Sequence, residues 1–216
     1  MTVSGESAAV LRPHLEGRVA NIVGNLSLAN AAREAALPRC RAVIRLSGSS
    51  IRAVHRQEWA RAAGIVAEAE AELRQAQTAL KPFPAVAFAG FLHDAEKEFV
   101  EASLVGLLIR REGTLAGPEA LMVDPRSWMR GLAEAASELR RFMLDRLREG
   151  DVARAEQLLA AMDDVHDCLV VVDFPDAMTG GLRRTLDALR AVLERSRGDL
   201  TTTMVQYRLQ QALEGR

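Results

Sequence analysis

Apolar residues recur along this chain at three- and four-residue spacings, interrupted by short runs of proline, glycine and acid. That period predicts amphipathic helices nearly throughout. A long first helix is expected from about Glu6 to His55, kinked near Pro13 and Pro38, which donate no backbone hydrogen bond. A second runs from about Gln57 to Leu80 and ends at Lys-Pro-Phe-Pro. A third covers roughly Ala85 to Arg111 and stops at Gly113, with a short helical piece at Glu119 after Pro118. Asp124-Pro125 supplies an N-cap acid followed by proline at the first helical position, opening a helix that reaches Glu149. Gly150-Asp151 closes it and caps the next, from Val152 to about Asp173. The last begins near Thr179 and continues to about Glu214.

One segment conflicts with this pattern. Cys168 to Val172 has the composition of a strand. No second strand is present to pair with it, and an isolated strand leaves its backbone groups unsatisfied, so helix is expected there too. The fold class is therefore all-α, with long first and last helices and residues 1–216 in one domain. Ala, Leu, Arg and Glu, all strong helix formers, dominate the composition.

Composition narrows the function. The chain has 216 residues, enough for one real core, and 28 basic against 29 acidic residues give a net charge of -1. No global basic field points to nucleic acid, so such a function needs a local patch. Cys40 and Cys168 make neither a disulfide framework nor a zinc cluster, which favours a reducing setting. The N-terminal stretch MTVSGESAAV lacks the features of a signal peptide, and no apolar run is long enough to span a bilayer. A soluble cytoplasmic protein is expected.

The chemistry gathers in HDAEKEFVEASL, residues 93 to 104. At about 100° per residue, Asp94, Glu98 and Glu101 share a face with Phe91, Ala95, Ala102, Val105 and Ile109. His93, Glu96 and Lys97 point elsewhere, to the side expected to be solvated. Carboxylates along an apolar stripe need compensation, because burying them unpaired costs several kcal/mol. A basic side chain from a neighbouring helix would provide it, and so would a divalent cation such as Mg²⁺, which takes carboxylate and water oxygens. Glu134 and Glu138 form a second acidic pair one turn apart, with Arg130 and Arg141 within a turn as ordinary ion-pair partners.

Four segments in order carry a family pattern: KEFVEASL, DPRSWMRGLAEAASELRR, DDVHDCLVVVDFPDAMTGGLRRTLDALRAVLERSRGDLT and QYRLQQALE. Through them, from about Ala31 to Glu214, the chain resembles the translin family: translin, translin-associated factor X and their prokaryotic relatives. The resemblance implies an all-α bundle of about seven helices that assembles into a hollow homo-oligomer, a hexamer or octamer. It also implies binding of single-stranded RNA and of single-stranded DNA. In the factor X branch it implies endoribonuclease activity with Mg²⁺, or Mn²⁺ in its place, held by carboxylates. The Glu-aromatic-Val-Glu motif of that branch matches Glu98-Phe99-Val100-Glu101. A second motif, Asp-Leu-Thr-Gly-Glu-Leu-Met-Arg, overlays Glu134 to Arg141, with Glu134 where the family has Asp and Glu138 carried over directly. The resemblance thus implies Glu98, Glu101, Glu134 and Glu138 as catalytic metal ligands, with Asp94 as an outer ligand or acceptor.

For nucleic acid, Arg45, Arg52 and Arg56 fall roughly on one face of the first helix, with Arg41 close by and His55 at its end. Arg183 and Arg184 form a second cluster beside Thr179-Gly180-Gly181, whose backbone donors suit a phosphate. The ordinary reading of any single arginine here is a solvated helix face paired to acids elsewhere, and Gly-Gly before a helix is also ordinary turn chemistry. The uncharged FPAVAFAGF stands where the resemblance implies a His- and Arg-rich stretch in translin. Asp163, His166 and Asp167 share a face that suits a transition metal or plain solvation. Ser47-Gly48-Ser49-Ser50 fits close helix packing better than a nucleophile. Two alternatives to an RNA-cleaving oligomer stay open: a non-catalytic nucleic-acid-binding oligomer whose acids are structural ion pairs, and a structural helical scaffold.

Overall fold

The computed structural model describes residues 6–215, and within them every regular element is an α-helix. In order these are α1 (Glu6–His55), α2 (Trp59–Leu80), α3 (Pro84–Ala87), α4 (Phe91–Arg110), α5 (Pro125–Arg148), α6 (Val152–Val170), α7 (Asp176–Thr179) and α8 (Leu182–Leu213). The helix assignment of α1 runs unbroken through Pro13 and Pro38. Cys168 to Val170 finish α6, and Val171 and Val172 lie just past its end, so the strand-like run forms no strand.

Two expected boundaries shift. The third expected helix divides into α3 and α4, because Gly90 takes φ 98°, a left-handed conformation that glycine adopts without the Cβ penalty. The piece at Glu119 is a turn rather than a helix, closed by backbone bonds from Leu121 to Gly117 and from Met122 to Glu119. The Asp124-Pro125 start is as expected: the Asp124 carboxylate accepts the Arg126 backbone N–H. Asp151 caps α6 in the same way through the Arg154 N–H.

Helix α4 lies at the centre, packed against α1, α2 and α5. It is therefore buried on most of its circumference, with Leu92, Phe99, Val100, Leu104, Val105 and Ile109 all in the core. Helix α5 in turn packs on α6 and α8. The α1–α2 contact uses the small residues expected of it. Ser47 and Ser50 are fully buried, and the Ser50 hydroxyl donates to the Ala62 carbonyl at 3.0 Å. The buried side chains of α1, α2, α4, α5, α6 and α8 form one connected hydrophobic cluster.

Both long helices carry apolar side chains outside this core. On the N-terminal half of α1, Leu11, Leu15, Val19, Ile22, Val23 and Leu26 are each more than half exposed. On the C-terminal part of α8, Val205, Leu209 and Leu213 are similarly exposed. No helix among the described residues is long and apolar enough to cross a membrane.

Candidate metal centre

Gly131 determines how closely α4 and α5 approach. A Cβ added at this position would lie 2.6 Å from the Lys97 carbonyl oxygen and 2.7 Å from Val100 Cβ. No side chain fits, so the two backbones meet directly. One turn further along α5 stands Glu134, and facing it on α4 stand Glu98 and Glu101. Buried Ala133, Ala135 and Ala136 keep the rest of this part of α5 close to its neighbours.

The result is a convergence of acids. One carboxylate oxygen from each of Glu98, Glu101 and Glu134 lies within 4.8 Å of the others. Opposite ligands around Mg²⁺ are about 4 Å apart, so small side-chain adjustments suffice to bind a cation of this kind. Glu101 is the buried member, 8% exposed, and no basic group pairs with it among the described residues. Burial, reinforced by the charges of Glu98, Glu134 and Glu138, pushes its carboxyl up from 4.5 to about 8. The Lys97 ammonium pulls it the other way and is the weakest of these influences, so the carboxyl stays displaced. The residues therefore fit a hard divalent cation: oxygen donors only, clustered, with one buried acid unanswered.

Glu138 stands one turn beyond Glu134, near enough to Glu101 to raise its pKa but outside the tight trio. His55 Nε2 lies 2.6 Å from Glu138 Oε2. The imidazole is almost entirely buried, and Nδ1 has no hydrogen-bond partner among the described residues. His55 is thus corrected from a nucleic-acid-facing residue to the support of Glu138. The last turn of α1 brings it there, and no spacing within α1 reveals that contact.

Asp94 also needs correction. It is exposed, stands 3.8 Å from Arg130, and is not part of the cluster. The shared stripe on α4 is real, but it opens to solvent toward the N-terminus, so position along the helix decides burial. The expectation that Glu96 and Lys97 face solvent is likewise corrected. Glu96 is 4% exposed and accepts hydrogen bonds from Gln77 Nε2 at 2.8 Å and from the Asp124 backbone N–H at 3.2 Å. It ties α2 and the start of α5 to α4. Lys97 reaches into the acid cluster, with Nζ 2.5 Å from Glu134 Oε2 and 3.1 Å from Glu98 Oε1. Burial lowers its pKa and the carboxylates raise it, with a net rise that keeps the ammonium charged. These contacts were missed because a helix packed on three sides has no single solvated face. Arg130 and Arg141 are not the partners of the α5 acids: Arg130 serves Asp94, and Arg141 is exposed.

The remaining basic residues divide. Arg41 and Arg45 are exposed with no acid partner among the described residues, and Arg52 is held only by the Ser49 hydroxyl at 2.8 Å. Arg56 is engaged by Glu58, which also accepts from Arg61. Arg183 pairs with Asp173 at 3.0 Å, while Arg184 is exposed. Among the other candidates, Asp163 is taken by Arg197 and His166 lies 3.3 Å from Asp167, with no metal-type cluster there among the described residues.

This geometry has relatives among solved structures. The chain is similar to the crystal structure of AfC3PO, with 31% identity and a TM-score of 0.79, covering 88% of this chain and 98% of that one. It is also similar to AfC3PO in complex with duplex RNA, with 34% identity, a TM-score of 0.68, and 88% and 97% covered. The chain belongs to the translin family. A translin-family fold is also shared with apo-NeC3PO, at 19% identity and a TM-score of 0.73, covering 86% of this chain and 96% of that one. Among curated sequences, an uncharacterized protein of Methanocaldococcus jannaschii is 28% identical over 127 residues. That match takes in 59% of this translin-family chain and 57% of the relative, so it spans little more than half of that protein. No protein-family model matches the chain.

Proposed function

We propose that this translin-family protein binds RNA as an oligomer and cleaves it by divalent-metal-dependent phosphodiester hydrolysis. The observation that carries the reading is the convergence of Glu98, Glu101 and Glu134 on one spot, with Glu138 adjacent. Glu98, Glu101 and Glu134 would hold Mg²⁺ or Mn²⁺, and Glu138, oriented by His55, would accept a proton or a water beside them. A divalent ion in such a site polarises a phosphate oxygen and lowers the pKa of the attacking water. Glu134 is one methylene longer than the Asp of the family pattern, and its carboxylate still reaches the other two.

RNA is the substrate class favoured by the complex of AfC3PO with duplex RNA. The stripe formed by Arg41, Arg45 and Arg52 supports it from this chain's own residues. These side chains follow one another at i+4 and i+7 on α1, whose last turn reaches the carboxylates through the buried His55–Glu138 contact. A phosphate backbone drawn along the stripe would be led to the acids. Oligomerisation is supported by the exposed apolar residues on α1 and α8, which are costly to leave in water.

A second reading, the non-catalytic binder, has one observation in its favour: Lys97 answers two of the acids as a structural ion pair would. The deciding experiment incubates purified protein with labelled single-stranded and duplex RNA, in Mg²⁺ and in chelator. Cleavage that requires Mg²⁺ and disappears in Glu98→Ala and Glu101→Ala is the expected result. Cleavage that persists in both variants belongs to a contaminant and leaves the binder reading standing.

A further inference from the structure

We propose that Lys97 is a resident cation of the carboxylate site, one that holds α4 and α5 together without metal and competes with divalent ions for Glu98 and Glu134. The inference rests on the metal-binding reading above and deepens it.

Of the three carboxylates whose oxygens converge, Lys97 Nζ touches two, at 2.5 Å on Glu134 and 3.1 Å on Glu98. One of these belongs to its own helix and the other to α5, so the ammonium bridges the seam. The side chain is 13% exposed, and water offers little competition for those bonds. Its backbone carbonyl rests against Gly131, where no Cβ fits, so the point from which the side chain starts is fixed by the same close approach.

Without that ammonium, Glu98 and Glu134 would face each other across the seam beside Glu101, with no positive charge among them. Their repulsion would work against the α4–α5 contact whenever no ion is bound. The ammonium removes that repulsion at a cost in metal affinity, because a divalent ion must share with Lys97, or take from it, the same two carboxylates. Glu101, which Lys97 does not touch, feels the ammonium only through its charge and is left as the ligand with no direct internal partner among the described residues.

The test compares the full-length protein with Lys97→Met, which keeps the stem and removes the charge, and with Lys97→Arg, which keeps the charge. Mn²⁺ binding is followed by calorimetry or by the electron paramagnetic resonance of free Mn²⁺, and thermal unfolding is measured in chelator and in Mn²⁺. Lys97→Met is expected to bind Mn²⁺ on the order of tenfold more tightly. It should also melt lower than wild type in chelator and recover in Mn²⁺, with Lys97→Arg close to wild type in both. If Lys97→Met fails to fold in chelator, recovery on adding Mn²⁺ supports the inference and failure to recover overturns it. Mn²⁺ bound equally well, or more weakly, by Lys97→Met overturns the inference while leaving the metal site intact. Absence of Mn²⁺ binding by both proteins overturns the metal reading along with it.

Discussion

Gly131 and Lys97 meet backbone to backbone: the Lys97 carbonyl oxygen occupies space that a Cβ on residue 131 would enter, at 2.6 Å. This contact fixes the separation of α4 and α5 one turn from the point where Glu134 meets Glu98 and Glu101. Gly131→Ala is expected to cost about 1–3 kcal/mol through overpacking. It should also weaken Mn²⁺ binding, because the carboxylates part with the helices. Chemical denaturation and a Mn²⁺ titration of the same variant check both; unchanged stability would mean that the helices separate freely at this point.

Glu101 makes the metal-free protein sensitive to pH. Its carboxyl is raised from 4.5 to about 8 in the folded state, so the folded chain holds a proton that the unfolded chain releases. Stability from this group is full below about pH 4.5 and is lost as pH rises toward about 8, by on the order of a few kcal/mol. Glu101→Gln, which cannot ionise, should flatten that part of the profile. Urea melts in chelator between pH 5 and 9 would show it, and parallel profiles for the two proteins would refute it.

The same proton is expected to leave when metal enters. Below pH 8 each bound ion should release close to one proton, and affinity should climb up to tenfold per pH unit before levelling near pH 8. Calorimetric titrations with Mn²⁺ in buffers of different ionisation enthalpy measure that proton directly. In Glu101→Gln the release should vanish.

His55 acts through Glu138, at 2.6 Å from its carboxylate. Removing it in His55→Ala should lower RNA cleavage about 10–100-fold, the usual cost of losing a group that orients a site carboxylate. RNA affinity should stay near wild type, because the His55 side chain is buried against Glu138. A loss confined to RNA binding would return His55 to the nucleic-acid face.

Replacing Arg41, Arg45 and Arg52 together with alanine should weaken RNA binding and reduce its dependence on salt. Single-stranded phosphates contribute a slope of about 0.7 each, so three lost contacts should reduce the log–log slope by about 2. Arg56→Ala, already engaged by Glu58, should leave it unchanged. Filter binding across a salt series gives both slopes.

Much of the fold was legible in one dimension because helix signals are local. Asp124-Pro125 and Gly150-Asp151 capped helices where expected, since a cap depends on side chains only a few residues from the backbone groups they satisfy. The acids Glu98, Glu101, Glu134 and Glu138 were legible through the family pattern, and the structure brings the first three together with Glu138 adjacent. Their neighbours were not. Asp94 shares the stripe of Glu98 and Glu101 yet faces water, while Lys97 and Glu96, expected in water, are drawn inward. Periodicity assigns a residue to a side of its helix, but α4 is packed on three sides, and which side stays open depends on where its neighbours end.

The sequence by itself therefore determined an all-α chain, most of its helix boundaries to within a few residues, and the candidate carboxylates Glu98, Glu101, Glu134 and Glu138. Only the tertiary structure decided which side chains touch those carboxylates: Lys97 for Glu98 and Glu134, His55 for Glu138, and no basic group for Glu101 among the described residues. The reason is that these pairings, apart from Lys97 with its neighbour Glu98, span separate helices. They form because Gly131 lets α4 and α5 touch and because α1 ends beside α5, and both depend on packing that no local pattern encodes.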